Sequence, residues 1–278
     1  MKHFFLPIVC VAMVLVSCGK YDRIVKTQDY EYKYEAAKQY YAEGQYNRAA
    51  LLLQDVLSVL KGTEQGEESL YLTALCNMKA KNYESAVTVF RKYYQTYPRG
   101  KYAEIARFQC AESLYELVND PKLDQTPTFE AVTEFQNFIE NYPASAKRQL
   151  AQDYIFKLQD LLVEKEYLSA KLYYDLGSYF LNCTNGGSNY QACIITAENA
   201  IREYPYTSRR EDLAFLVLKA KFDLADQSVE AKKEERFHNA IDEYYGFTNE
   251  FPESKYKKEA DNLFKKASKY VVATDENE

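Results

Sequence analysis

"FRKYYQTYPRGK", residues 90–101, places a proline inside what otherwise reads as one amphipathic helix. Proline lacks the backbone donor and collides with the preceding turn, so Pro98 ends a helix. The same arrangement is written three more times. In "NYESAVTVFRKYYQTYP" Ala86 stands twelve residues before Pro98, and the spacing recurs from Ala131 to Pro143 in "TFEAVTEFQNFIENYP". It recurs again from Cys193 to Pro205 in "NYQACIITAENAIREYP" and from Ala240 to Pro252 in "RFHNAIDEYYGFTNEFP". Each proline follows an aromatic residue (Tyr97, Tyr142, Tyr204, Phe251), and two places later stands Gly100, Ser145, Thr207 or Ser254. The proline therefore punctuates a repeat: helix, aromatic–Pro stop, cap residue, next helix.

The small residue that opens each segment belongs where a partner helix must approach closely. Aromatic residues flank it, three places earlier at Tyr83, Tyr190 and Phe237, and four later at Phe90, Phe135 and Tyr244. Two departures stand out: the upstream ring of the Ala131 unit sits one place on, at Phe129, and Ala197 replaces a ring after Cys193. Upstream, "AAKQYYAEGQYNRAALLLQDVL" fits the same template around Ala49, with Tyr40 and Tyr46, but Lys61 stands where a proline would, so this unit ends differently.

Composition agrees with helix throughout. The 278 residues include only 9 Gly and 7 Pro beside 27 Tyr and no Trp, and hydrophobic residues make up 47%. Few turn-formers among many Ala, Leu, Glu, Lys and Gln predict an all-α chain with enough apolar residues for a core. A net charge of −6 and a pI near 5.3 argue against a nucleic-acid partner, which calls for a basic face.

The first residues are a leader rather than fold. "MKHFFLPIVCVAMVLVSC" has a basic start, an apolar run from Phe4 to Val16, then Ser17 and Cys18. Leu15-Val16-Ser17-Cys18 resembles the bacterial lipobox, which implies cleavage before Cys18 and acylation of that cysteine and of the new amine. A thiolate is the one side chain there able to form the thioether, and several acyl chains anchor stably where one would not. Gly19 in place of Asp after the cysteine implies, by the enterobacterial sorting rule, the outer membrane.

Little in the chain suggests catalysis, and no metal or cofactor is implied. His238 is the one histidine of the mature chain, and "TNGGSN" lacks the lysine of a phosphate loop. Carboxylate pairs such as Glu67-Glu68 and Glu234-Glu235 read as solvated helix faces. Cys76, Cys110, Cys183 and Cys193 match no metal spacing. Cys110 and Cys193 hold small-residue seam positions and are expected as buried thiols, although a bond from Cys183 to Cys193 is open to an exported chain.

These features resemble the tetratricopeptide repeat, a helix-turn-helix unit of about 34 residues that stacks into a right-handed superhelix. The resemblance implies an array of about five such units with a capping helix from Ser254 to about Tyr270. Ala49, Ala86, Ala131, Cys193 and Ala240 lie 37, 45, 62 and 47 residues apart, so the array is irregular. The excess falls in "NDPKLDQTPT", in "DQSVEAKKEE", and in a helical stretch from Ser145 to about Leu181 followed by "NCTNGGSN". That stretch is one helix or two, with possible breaks near Glu166 and at Gly177. The expected organisation is a signal peptide over 1–17, a lipidated tether over 18–29, repeats 1–3 over 30–144, repeats 4–5 with the long and capping helices over 145–271, and an acidic tail over 272–278.

Lipobox, Tyr-rich entry segment, "YP-x-[ST]" joints and long helix together resemble the BamD family of outer-membrane β-barrel assembly lipoproteins. The resemblance implies a non-enzymatic, periplasm-facing scaffold that contacts the POTRA domains of BamA and receives the C-terminal targeting strands of unfolded barrel proteins. The extra loops at 182–189 and 226–235 depart from it. A general cell-envelope scaffold is the alternative; a glycan-uptake lipoprotein ranks lower, because that group is longer and uses Trp. Registering the first helices on Ala37, Ala74 and Ala111 turns Tyr34, Lys38 and Tyr41, then Tyr71 and Met78, then Phe108 and Tyr115 inward. Barrel targeting strands end in an aromatic residue, so a tyrosine-lined groove with a lysine for the chain-end carboxylate would suit them. The alternative is that these rings pack between neighbouring helices.

Overall fold

The structure, a computed structural model, describes residues 19–177 and 188–275, with side chains through Val272. Cys10, Cys18 and Cys183 lie outside the described residues. Among these residues there are helices and no strands. A first helix, α1, covers 19–26. There follow α2 (Tyr30–Ala42), α3 (Tyr46–Val59), α4 (Glu64–Lys79), α5 (Tyr83–Thr96), α6 (Ala103–Tyr115) and α7 (Thr126–Asn141). The rest are α8 (Arg148–Leu176), α9 (Asn189–Glu203), α10 (Arg210–Asp226), α11 (Glu230–Glu250) and α12 (Lys257–Asp275).

Two compact units divide the chain: one runs to Ile155 but for residues 120–125, the other from Phe156 onward with that short segment. The division falls inside α8 rather than at 144/145. In the first unit each helix from α2 to α7 packs on the next, and in the second α9 to α12 do the same. Neighbours joined by short turns must run antiparallel, so this is the helix-pair architecture expected of the repeats. The five seam residues Ala49, Ala86, Ala131, Cys193 and Ala240 are 0–3% exposed, and so are Ala37, Ala74 and Ala111 at the facing positions, all 0%. Phe90 and Phe135 fill the seams, but Phe129 is 54% exposed. Thr128 occupies the buried position beside Ala131, and one residue further round the helix the ring points out.

The aromatic–Pro joints are one structure used repeatedly. Tyr97, Tyr204 and Phe251 end their helices with the same backbone, φ −124, −124 and −125° and ψ 65, 69 and 67°. Gly100, Ser145, Thr207 and Ser254 then donate their N–H to the carbonyls of Tyr97, Tyr142, Tyr204 and Phe251. The hydroxyl residues are not helix N-caps as expected. Instead Ser145 Oγ donates to Glu104 at 2.6 Å, Thr207 Oγ1 to Asp160 at 2.9 Å and Ser254 Oγ to Glu211 at 2.5 Å. Each hydroxyl also accepts the N–H two residues on, from Lys147, Arg209 and Tyr256. A carboxylate on one first helix thus clamps the entrance of the next.

Two expectations change and one open alternative is decided. Residues 19–26 are not a loose tether: Ile24 is 2% exposed within the first core cluster, and the Tyr21 ring meets Tyr40 edge-on at 5.6 Å. The stretch left open as one helix or two is a single helix over Arg148–Leu176, ended by Gly177 at φ +51° with no break near Glu166; residues 178–181 lie outside the described residues. The capping helix runs through Asp275, and Val271 packs beside Phe222, Phe237 and Ala267. Only 276–278 of the expected acidic tail lies beyond α12, and that part is outside the described residues.

Candidate functional site

The first helices of the amino-terminal unit, α2, α4 and α6, carry the residues the sequence singles out. Tyr34 is buried and its hydroxyl donates to Glu68 on α4 at 2.7 Å. Tyr71 repeats the pattern one unit on: its hydroxyl donates to Gln109 Oε1 on α6 at 2.9 Å, and its ring stacks on Tyr102 at 4.3 Å. Gln65 on α4 also reaches back to Glu31 on α2 at 2.7 Å. Successive first helices are laced together by the polar tips of rings whose bodies are buried. Burial, with Glu68 adding to it, pushes the Tyr34 hydroxyl up, and burial pushes Tyr71 up to about 12.

Phe108 is wholly buried, with Phe135 and Phe138 at 5.9 and 5.2 Å. Tyr34, Tyr71 and Phe108 therefore pack between helices instead of standing open as groove walls. Lys38, Tyr41, Met78 and Tyr115 keep partial exposure. The Lys38 ammonium sits 4.8 Å from the centre of the Tyr34 ring and donates to its hydroxyl at 3.5 Å, with a loose pair to Glu35 at 3.9 Å. Tyr41 meets Tyr46 edge-on at 5.6 Å and lies within electrostatic reach of Tyr71. Tyr115 packs on Tyr154 of α8 at 4.8 Å.

Around Tyr115 the structure adds residues that sequence reading passed over. Glu112 is held above the usual carboxylate range, by burial first, with Lys147 and Lys79 pulling it back and Glu116 pushing it up. Lys147 lies 4.5 Å over the Phe108 ring. Glu68 and Gln109 were legible in principle, since both stand 34 and 38 residues after the tyrosines that bind them, near the repeat length. Lys147 and Tyr154 were not, because they come from the joint and helix beyond the third first helix.

Among the described residues no group of three or more His, Cys, Asp or Glu is placed to hold a metal ion. His238 is exposed. Cys76, Cys110 and Cys193 are buried free thiols that burial pushes up to about 12, which keeps them protonated and inert. Lys38 lies over the Tyr34 ring and Lys147 over the Phe108 ring, while Tyr41, Met78 and Tyr115 on the three first helices are half-open.

Comparison with known proteins follows the same lines. Residues 27–185 match the model of the family described as YfiO, outer membrane lipoprotein. The putative outer membrane protein assembly factor BamD of Aquifex aeolicus (strain VF5) is 27% identical over 188 residues, 67% of this chain. The match spans 58% of that relative's length. A Podosopora anserina putative kinesin light chain with nearly identical TPR-like repeats aligns over 88% of this chain and 95% of its own, at 14% identity and a TM-score of 0.36. The P58(IPK) TPR domain aligns over 97% of this chain and 64% of its own, at 12% identity and a TM-score of 0.28. No helix among the described residues is long and apolar enough to cross a membrane. With more than half of its length matched by the family model, this chain belongs to the YfiO family of outer membrane lipoproteins.

Proposed function

We propose that this chain is an assembly factor for outer-membrane β-barrel proteins, acting as a non-enzymatic scaffold. Acyl groups on Cys18 hold it to the periplasmic face of the outer membrane. The second unit docks on the POTRA domains of a BamA partner, and the first unit receives the C-terminal strands of unfolded barrel proteins. The observation that carries this reading is the family match over residues 27–185, which spans α2 to α8 and so the helices bearing the candidate groove.

Within that groove the roles divide by exposure. Tyr34, Tyr71 and Phe108 form the rigid backing. Lys38, Tyr41, Met78 and Tyr115 make the contacts, with Lys38 for the chain-end carboxylate and the tyrosines for its aromatic residue. Lys38 is 40% exposed and its pairing with Glu35 is solvent-screened, so it can exchange that partner for a ligand at little cost.

The test combines Lys38→Ala, Tyr41→Ala and Tyr115→Ala, leaving the buried rings in place. A labelled peptide from a barrel C-terminal strand should bind at least tenfold more weakly, about 1.4 kcal/mol, by fluorescence anisotropy. Helical circular dichroism and co-purification with BamA should both survive. Normal peptide affinity would remove the groove, and loss of BamA instead would reverse the assignment of the two units. Depletion in cells should lower the level of barrel proteins in the outer membrane; normal levels would reject the function itself.

A further inference from the structure

The four aromatic–Pro joints share their backbone hydrogen bond, but one carries an extra feature. The residue after the proline is Arg99, Ala144, Tyr206 or Glu253. Tyr206 is 91% exposed, more than any other large hydrophobic residue described. Leaving a phenol ring in water forgoes the partial or full burial that most of the described tyrosines obtain, so its position asks for an occupant beside it.

The helix opposite supplies the rest. In α4, α6 and α10 the clamp carboxylate (Glu67, Glu104, Glu211) lies within the first turn, so nothing helical projects beyond it. In α8 the clamp is Asp160, while the helix has already run from Arg148. The extra turns bring Phe156, itself 50% exposed, over the joint. Between them lies a cavity of about 290 Å³ lined by Phe156, Tyr204, Pro205, Tyr206, Asp160 and Glu203. It combines three aromatic rings and two carboxylates, and among the described residues no cation lines it.

The nearest arginines in sequence have partners elsewhere: Arg202 donates to Asn199 at 2.5 Å. Arg209 is held by Glu164 at 2.6 Å and Asp212 at 2.8 Å, with Tyr167 beneath it. Arg210 is held by Glu250 and by the carbonyls of Ile201 and Pro205. Asp160 spends one oxygen, Oδ1, on Thr207 and the Ser208 N–H, which leaves Oδ2 for a ligand. Rings and carboxylates together select a cation. A guanidinium is planar, stacks on ring faces and offers paired N–H donors to a carboxylate, where an ammonium is a compact, strongly hydrated charge.

We propose that this cavity receives an arginine side chain of a partner protein. The site is separate from the candidate groove and does not depend on which partner the chain serves. Tyr206 and Phe156 close over the guanidinium faces, Asp160 Oδ2 and Glu203 accept its N–H groups, and Pro205 floors the apolar stem.

The test is a nuclear magnetic resonance titration of the mature chain with acetyl-Gly-Arg-Gly-amide, read on the tyrosine ring signals. The citrulline peptide, which keeps the shape and loses the charge, and the lysine peptide are the comparators. The arginine peptide should saturate, and bind about tenfold more tightly than the citrulline one and severalfold more tightly than the lysine one. Tyr206→Ala and Glu203→Gln, both at exposed positions that leave the clamp intact, should each weaken it severalfold with helical circular dichroism unchanged. Absence of saturable binding, equal affinity for the citrulline peptide, or undiminished binding by Tyr206→Ala would overturn the proposal. Equal affinity for the lysine peptide would overturn the choice of arginine.

Discussion

Gly100 shows how one residue can be dictated by another far from it in the fold's logic. Its three counterparts are Ser145, Thr207 and Ser254, and each uses a hydroxyl to join a carboxylate to a backbone N–H. At the Gly100 joint the same two bonds come from Tyr93, whose hydroxyl donates to Glu67 at 2.5 Å and accepts the Tyr102 N–H at 3.0 Å. A Cβ on Gly100 would stand 2.4 Å from Glu67 Oε1 and 2.7 Å from that hydroxyl. The positions matching Tyr93 in the other joints are Phe138, Ala200 and Phe247, none with a hydroxyl. Gly100→Ser should therefore destabilise by about 1–3 kcal/mol through overpacking, and Tyr93→Phe by about as much through an unmet N–H and carboxylate. The double variant should recover most of both losses in urea unfolding, since serine then does what it does elsewhere. Simple additivity of the two would mean that the joints are not equivalent. Packing imposes a similar demand at the seams. Ala86 and Ala131 are 0% exposed, and leucine at either should cost about 1–3 kcal/mol. Unchanged melting of both variants would show that these positions are not close helix contacts.

Among the helices, α10 is the most thoroughly enclosed, buried along nearly its whole first half from Asp212 to Leu218. It carries a charged knot at its start. Asp212 receives Arg209 at 2.8 Å, Lys255 at 2.7 Å and the Tyr256 hydroxyl at 2.7 Å, tying α10 to the joint before α12. Burial alone would raise its pKa, but the bonds from Lys255, Arg209 and Tyr256 hold it at about 2. An aspartate whose folded pKa lies below its unfolded value of about 3.9 stabilises the fold fully above that value and loses the benefit as pH falls through about 2. Asp212→Asn should then lower stability by up to about 2 kcal/mol near neutral pH, with the gap from the parent closing between about pH 4 and pH 2. A gap that stayed constant over that range in thermal melts would assign the effect to hydrogen-bond geometry instead of charge. The helix α8 differs from its fellows by length: its first turns, through Tyr154, complete the aromatic cluster of Phe108 and Phe135, and Val163 and Ala170 enter the core cluster around Tyr190 and Cys193.

For the molecule as a whole, the expected lipidation site adjoins the first described helix. Cys18, the expected lipidated residue, is followed at Gly19 by α1, which is pinned to the first repeat by Ile24, Tyr21 and the Arg48 guanidinium 5.1 Å over the Tyr21 ring. A lipid on Cys18 would therefore hold the first unit close to the bilayer, with no long leash between. Cys18→Ala should abolish acylation, leaving an uncut precursor or a soluble periplasmic form with altered electrophoretic mobility. Unchanged membrane fractionation and mobility would refute lipidation at this residue. Losing the anchor should leave the melting temperature of the folded part unaltered, since Ile24 and Tyr21 stay in place.

What the amino-acid sequence determines by itself is local. The aromatic–Pro stops, the small seam residues and the helical period follow from backbone chemistry and spacing within a dozen positions; they sufficed for the all-α repeat pairs and, with the lipobox and the Tyr-rich entry segment, for the family resemblance. What only the tertiary structure decided involves partners far apart in the chain. The clamp carboxylates lie 34, 41, 47 and 43 residues from the joints they hold, and no local pattern names them. The same holds for the tyrosines: a ring on a first helix reads as groove wall or packing alike, until Tyr34 and Tyr71 are seen bonded to the next first helix while Tyr41 and Tyr115 remain half open. Whether residues 19–26 hang free, and whether α8 breaks, turn on which apolar faces find cover. That depends on packing between elements, and packing is not written in the period of any one of them.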